Sequence, residues 1–100
     1  MIHVLAIITA LPGQRDAVLR AFHANVPAVL AEEGCIEYGA AVDAPGLGSA
    51  QFGADSFVVV EKWASPDALK AHAKSAHMAA YGETTKPLLA NRAVHVLNPI

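Results

Sequence analysis

Several residue classes are scarce in this 100-residue sequence, and each scarcity excludes a class of protein. A single cysteine, Cys35, cannot form an internal disulfide, which favours a reducing compartment and predicts a cytoplasmic location. Lys and Arg total only 7 and are scattered, so no basic stripe is present and nucleic acid is not expected as a partner. No apolar run approaches the roughly 20 residues of a membrane span, so no membrane association is expected.

Charge is also scarce, since charged residues make up 16% of the sequence and hydrophobic residues 54%. A small domain buries only a modest fraction of its surface. The surplus apolar residues must therefore stay exposed, line a cavity or enter a subunit interface. We expect one domain over residues 1–100 that forms a homodimer around an apolar pocket.

Apolar periodicity predicts secondary structure in the order β-α-β-β-α-β. The predicted strands are Ile2 to Leu11, Cys35 to Asp43, Ser56 to Trp63 and Ala93 to Leu97. One helix follows Pro12-Gly13-Gln14, and the other begins at Ser65-Pro66-Asp67. Two β-α-β halves indicate an α+β fold, in which an antiparallel four-stranded sheet carries both helices on one face.

Three details of the helices are predicted as well. Pro27 should kink or divide the first helix, because it lacks an N–H and its ring crowds the carbonyl of His23. Gly34 is expected to end that segment in a left-handed conformation. A stripe of small residues should bring the second helix close to the sheet: Leu69, Ala73, Ala76 and Ala80.

Motifs for cofactors and metals are absent. There is no Gly-x-Gly-x-x-Gly, no phosphate loop and no Cys-x-x-Cys, so no cofactor is predicted. His72 and His77 are five positions apart, which corresponds to about 140° of rotation on a continuous helix. The two imidazoles would then face different sides, and a shared metal would require a helix break near Ser75. No metal ligands are therefore predicted.

Glu61 is conspicuous because it shares a strand face with Phe57, Val59 and Trp63. A carboxylate on an apolar face is costly unless it is paired, hydrogen-bonded or near water. Two interpretations remain open: an ion pair with Arg92 at a subunit interface, or a pocket carboxylate with a raised pKa that can move a proton. Trp63 is either a core anchor or a flat wall for an aromatic ligand.

A second group of candidate residues lies on the second helix. His77 and Tyr81 are spaced i and i+4, so they are neighbours on a continuous helix. Each of them, like His72, can be interpreted as an ordinary boundary residue. As a group they suggest a histidine at the edge of an apolar pocket, which suits a general base near neutral pH.

Taken together, several segments resemble the antibiotic biosynthesis monooxygenase domain, and within that family the bacterial quinol monooxygenases. The most specific combination is the Glu61-x-Trp63 strand followed by His72-x(4)-His77-Met78. The other matching segments are Pro12-Gly13-Gln14, Val26-Pro27-Ala28-Val29-Leu30, Glu32-Glu33-Gly34-Cys35, Ala54-Asp55-Ser56-Phe57 and Leu97-Asn98-Pro99. The resemblance runs nearly from end to end.

The resemblance implies a ferredoxin-like domain whose sheet joins that of a second copy in a dimeric α+β barrel. It also implies cofactor-free oxidation of hydroquinones or related polycyclic phenols by O₂. In that interpretation the candidates for the base are His72, His77 and Glu61. The candidates for substrate contact are Trp63, Phe57, Tyr38, Tyr81 and Met78. A non-catalytic binding module for planar aromatics and an isomerase on the same scaffold are the alternatives.

Overall fold

Residues 1–100 of the computed structural model form four strands and three α-helices. They are β1 (Ile2–Ala10), α1 (Arg15–Leu30), β2 (Cys35–Ala41), β3 (Ser56–Trp63), α2 (Pro66–Ala73), α3 (Ala76–Thr85) and β4 (Leu89–Leu97). A short 3₁₀ turn, Lys86–Leu88, joins α3 to β4. None of the helices is both long enough and apolar enough to cross a membrane.

The strands form one sheet in the order β2-β3-β1-β4, and every neighbouring pair is antiparallel. Val4 of the central strand β1 lies opposite Glu61 of β3 on one side and Val96 of β4 on the other. This is the predicted α+β architecture with the ferredoxin-like order, and the fold prediction is confirmed.

Strict alternation places one face of the sheet beneath the helices. Every second residue of β1 is buried, from Ile2 to Ala10. The β3 residues on the same face are buried as well: Phe57, Val59, Glu61 and Trp63. From above, α1 contributes Val18, Phe22 and Val29 to this core. The sequence pattern predicted the buried face of β3 correctly, because a side-chain period of two leaves only one register that buries these residues.

Pro27 does not divide α1. The helix runs unbroken to Leu30, and the Ala31 amide donates a hydrogen bond to the Pro27 carbonyl oxygen (3.2 Å). Pro27 removes only the bond to the carbonyl of His23. Both residues are exposed, so water can satisfy that carbonyl at little cost.

The second helix is divided into α2 and α3 at Ser75. The Ser75 hydroxyl donates to the His72 carbonyl (2.8 Å) and accepts from the Met78 amide (3.4 Å). It therefore closes the end of α2 and caps the start of α3, as Ser65 caps α2 through the Ala68 amide (3.1 Å).

Because of this break, the predicted stripe of small residues facing the sheet is wrong. Of its members, Leu69 is half-buried, whereas three alanines are exposed: Ala73, Ala76 and Ala80. The side chains buried or half-buried toward the sheet are instead His72, before the break, and Met78, Tyr81 and Thr85, after it.

Gly34 is the point where the turn after α1 touches the start of α2. It has a φ of +83°, as predicted from its position behind Glu32-Glu33, and its carbonyl accepts from the Ala64 amide (2.8 Å). A Cβ at this position would lie 2.6 Å from the Cβ of Ala68. Glycine thus allows the turn that carries Glu32 to pack directly against α2.

No helix covers the other face of the sheet. The register directs a set of apolar side chains to this face: Leu5, Ile7, Val58, Val60 and Leu97. Leu5 and Leu97 are exposed, and the other three are half-buried. Much of the apolar excess of the sequence is therefore found on this one surface.

Candidate active site

A cavity of about 700 Å³ lies between α3 and the β1–β4 part of the sheet. Its floor includes Ala6 and Ile8 of β1, and Met78 and Tyr81 of α3 form the opposite wall. Val94 lies beside Ala6 on the same face, yet 43% of its surface is exposed, because no helix reaches far enough to cover β4. Mostly apolar walls with a few polar groups are typical of a small-molecule site.

Five of the polar side chains that line this cavity come from five different elements: Tyr38, Glu61, His72, Tyr81 and Arg92. Glu83, Thr85, Lys86 and Asn91 line it as well. The first five come from β2, β3, α2, α3 and β4, so only the folded chain brings them together. Four of these were candidates from the sequence, and Arg92 was considered only as an ion-pair partner. These five side chains offer proton acceptors, phenolic donors and a guanidinium, and Lys86 adds a second cation to the lining.

His72 is the most buried of the candidate bases, with 5% of its surface exposed. Its Nδ1 lies 2.8 Å from Oε2 of Glu32. An ionised carboxylate can only accept, so Nδ1 carries the proton in this contact. The imidazole ring packs against Trp63, with ring centres 4.6 Å apart, and against Tyr38 at 5.5 Å.

The second ring nitrogen of His72, Nε2, is left for the cavity. It has no hydrogen-bond partner within the protein. Every fully buried side-chain nitrogen in the chain does have a partner, so Nε2 is not fully buried. Nε2 is therefore accessible, and because His72 lines the cavity while Nδ1 is bonded to Glu32, we infer that Nε2 faces the cavity. With the proton on Nδ1, a neutral His72 presents an unprotonated nitrogen that can accept a proton.

Glu32 also binds the second histidine, since Nε2 of His77 lies 2.8 Å from the same Oε2 atom. The prediction that His72 and His77 face different sides is wrong, because the break at Ser75 turns α3 relative to α2. His77 does not line the large cavity; it lies behind His72, on the other side of the carboxylate. Glu32 was missed because it is 40 residues from His72, and no local pattern links them.

Glu61 is a buried carboxylate that accepts a hydrogen bond from the indole N–H of Trp63 (2.9 Å). Burial raises the pKa of Glu61, while this hydrogen bond and the charges of His72 and Arg92 oppose the rise in part. Glu61 lines the cavity, as the pocket interpretation from the sequence expects. The bonded partner is Trp63, and Arg92 stands in the same cavity without pairing with Glu61.

The two tyrosines and Met78 line the cavity as the sequence suggested. Tyr38 stacks on Phe22 of α1, with ring centres 5.1 Å apart. Burial raises the pKa of Tyr38 strongly and that of Tyr81 as well. Both phenols therefore stay protonated near neutral pH and can donate hydrogen bonds.

Phe57 and Trp63 do not form cavity walls, which corrects the sequence-based expectation. Both are completely buried in the core. The ring of Phe57 lies 6.0 Å from that of Phe22, beneath α1. Trp63 contributes to the site indirectly, because it donates a hydrogen bond to Glu61 and packs against the ring of His72.

Comparison with known proteins agrees with this architecture. The family model described as antibiotic biosynthesis monooxygenase matches residues 1–84. The chain belongs to this family. It is 41% identical over 102 aligned residues to the protein named "Probable quinol monooxygenase YgiN" of Escherichia coli (strain K12), covering 99% of this chain and 98% of that protein.

Two solved structures extend the comparison within the antibiotic biosynthesis monooxygenase fold. PA3566 from Pseudomonas aeruginosa is 27% identical with a TM-score of 0.83, covering 99% of this chain and 93% of that one. Rv0793 from Mycobacterium tuberculosis is 29% identical with a TM-score of 0.82, covering 99% and 94%. Family and fold together support a monooxygenase-type role for the chain.

Proposed function

We propose that this protein is a cofactor-independent quinol monooxygenase that oxidises hydroquinone-type or polycyclic phenolic substrates with O₂. The observation that carries the proposal is His72. Its Nδ1 is held by Glu32 at 2.8 Å, and its Nε2 is free toward a mostly apolar cavity of about 700 Å³. A base at the edge of an apolar site is what activation of a phenol requires.

The proposed reaction needs no reductant except the quinol. Nε2 of His72 removes a phenolic proton, and the electron-rich quinolate passes one electron to O₂. The semiquinone and superoxide combine at a ring carbon that carries hydrogen, forming the C–O bond of a hydroperoxide. Loss of water then breaks the O–O bond and leaves a hydroxyquinone. One oxygen atom enters the ring, the other leaves as water, and the quinol supplies all four electrons.

The other polar groups have supporting roles in this proposal. The guanidinium of Arg92 stabilises the quinolate anion, and the protonated phenols of Tyr38 and Tyr81 donate hydrogen bonds to its oxygen atoms. Glu61, with its raised pKa, is a second group that can exchange a proton during loss of water. The apolar walls around Met78 keep bulk water away from the radical pair.

Oxygen uptake with a naphthohydroquinone tests the proposal. We expect the wild-type protein to exceed autoxidation in buffer, to stop without O₂ and to resume when air is admitted. His72→Gln should lower kcat by at least about a hundredfold, which is the lower end of the rate enhancement that general base catalysis provides. His23→Gln, on the exposed side of α1, is the matched control and should keep the wild-type rate.

Two outcomes would contradict the proposal. A wild-type rate equal to that of autoxidation in buffer would show that the protein does not catalyse the oxidation. If quinones then still quench the fluorescence of Trp63, the binding-module alternative would replace it. Equal losses in His72→Gln and His23→Gln would show that His72 is not the base.

We further propose that two copies pair through the bare face of the sheet as a dimeric barrel. The apolar side chains on this face support the pairing, with Val60 near its centre and Leu5 beside it. Sedimentation should give twice the 10.4 kDa chain mass, and Val60→Lys should give monomers. Val42→Lys, at an exposed position beyond β2, is the control, and dissociation in both variants would contradict the assignment of this face to the interface.

The cytoplasmic location stays a prediction.

A further inference from the structure

Glu32, His72 and His77 form a cluster, and the proposed oxidation uses only His72 of the three as a base. We propose that these three side chains bind one divalent transition metal ion, for which Zn²⁺ is the best match. The three potential ligand atoms are Oε2 of Glu32, Nδ1 of His72 and Nε2 of His77, and all lie within 4.8 Å of one another. The site is on the side of His72 that faces away from the cavity.

The donor set fits a metal of intermediate softness. Two imidazoles and one carboxylate are ligands that Zn²⁺ accepts, with a fourth position left for water. Ligands about 2.1 Å from a tetrahedral ion lie about 3.4 Å apart. The two contacts of 2.8 Å to Glu32 would lengthen by about half an ångström, and each of them contains a proton that a metal would displace.

The local charge also favours a cation. The carboxylate of Glu32 has only 13% of its side chain exposed, and its charged partners are the two histidines, with no Lys or Arg among them. Without a metal, this carboxylate is stabilised by the hydrogen bonds of the two imidazoles. A divalent ion would in addition neutralise its charge.

Access and support are provided by α3. The side chain of His77 is 30% exposed, so an ion can reach the cluster from solvent without crossing the core. Ser75 Oγ lies 3.3 Å from Nε2 of His77 and donates to the His72 carbonyl, which fixes the start of α3 next to the end of α2. The helix break that brings the two imidazoles together is thus part of the site.

Occupation would also change His72, and this consequence rests on the proposed function. A metal on Nδ1 leaves the ring proton of a neutral imidazole on Nε2, the atom that faces the cavity. His72 could then donate a hydrogen bond but could not accept a proton. We therefore expect Zn²⁺ to bind and to suppress quinol oxidation.

Titration of the metal-free protein with Co²⁺ and Zn²⁺ tests the site without using activity. We expect one ion per chain, with visible Co²⁺ bands typical of low coordination number. His77→Gln should weaken binding at least about tenfold, since one of three ligands is lost. His23→Gln and Cys35→Ser should bind as the wild-type protein does, which controls for surface imidazole and for the lone thiol. X-ray absorption of the Zn²⁺-loaded wild-type protein should show two imidazoles and needs no variant.

Either of two results would overturn the metal site. One is the absence of saturable binding at one ion per chain in the wild-type protein. The other is equal affinity in His77→Gln and His23→Gln, with no imidazole in the absorption spectrum. If Zn²⁺ binds through both histidines but quinol oxidation continues unchanged, the metal site stands and His72 is not the base.

Discussion

The helix-covered face of the sheet has two halves that differ in how they are filled. In one half the side chains pack tightly, and Phe22, Phe57 and Trp63 are completely or almost completely buried. In the other half, over β1 and β4, α3 leaves the cavity, and Val94 on the same face is largely exposed. One face of the sheet therefore carries a well-packed core beside a cavity.

Side-chain size accounts for much of the difference. The aromatic residues of the core come from β3 and α1, whereas the cavity is lined at several places by Ala or Gly. Ala6 on β1 and Gly82 on α3 are examples, and each leaves space that a larger residue would fill. The comparison predicts that changes in the packed half act on stability and that changes at the cavity act on chemistry.

The largest expected effect is in the packed half. Phe57→Ala should lower the free energy of unfolding by about 3–5 kcal/mol, because it leaves a cavity in a well-packed core. Phe52→Ala is the matched control, since Phe52 lies in the β2–β3 connection with 57% exposure, and it should change stability by less than about 0.5 kcal/mol. Denaturant unfolding measures both, and similar losses would remove the distinction between the two positions.

Gly34 tests the close contact between the turn after α1 and helix α2. Gly34→Ala should cost about 2–3 kcal/mol, because the residue has a positive φ and its new Cβ would overlap Ala68 at 2.6 Å. Gly13→Ala has a similar φ but meets nothing within 4 Å, so it should cost only about 1 kcal/mol. Equal losses in chemical unfolding would mean that the close approach at Gly34 contributes nothing.

Glu32 tests whether a residue outside the cavity acts through His72. Glu32→Gln should lower kcat for quinol oxidation roughly tenfold with little change in KM, because the ring of His72 loses the charge that favours its reactive tautomer. The pH–rate profile should change as well, and Glu32→Asp should restore part of the rate. If the variant only lowers the yield of folded protein and leaves kcat and the pH profile unchanged, Glu32 is a purely structural residue.

Glu61 gives the smallest effect, and its size depends on pH. Burial makes the pKa of Glu61 higher in the folded than in the unfolded chain, so the wild-type protein loses stability as the pH rises through the interval between these values. Glu61→Gln keeps an oxygen acceptor for Trp63 and removes the charge. We expect its Tm to exceed the wild-type Tm at neutral pH and the difference to vanish in acid. A lower Tm of the variant at neutral pH would contradict this.

The sequence predicted the fold well where local periodicity decides the structure. The alternation in β3 and the cap at Ser65 both have local causes, and both were correct. The break at Ser75 was missed, although Ser75 precedes α3 as Ser65 precedes α2. The capping preference of serine is a signal that could have located it.

The candidate site was less predictable, because its contacts join distant parts of the chain. Glu61, His72 and Tyr81 were proposed from their residue types and do meet in the cavity. Which histidine faces the cavity depends on the helix break, and the partner of both histidines is Glu32 in the turn after α1. Trp63 was assigned to the cavity because strand alternation identifies a buried face without showing which part of it is hollow.

Incorporation of oxygen from ¹⁸O₂ tests the central claim most directly. A naphthohydroquinone is incubated with the wild-type protein in ¹⁸O₂, and the product and the water are analysed by mass spectrometry. We expect one labelled oxygen atom in each hydroxyquinone and one in water, at a rate above that in buffer and lost in His72→Gln. Unlabelled product, or labelled product formed equally fast by His72→Gln, would contradict a monooxygenase that uses His72 as its base.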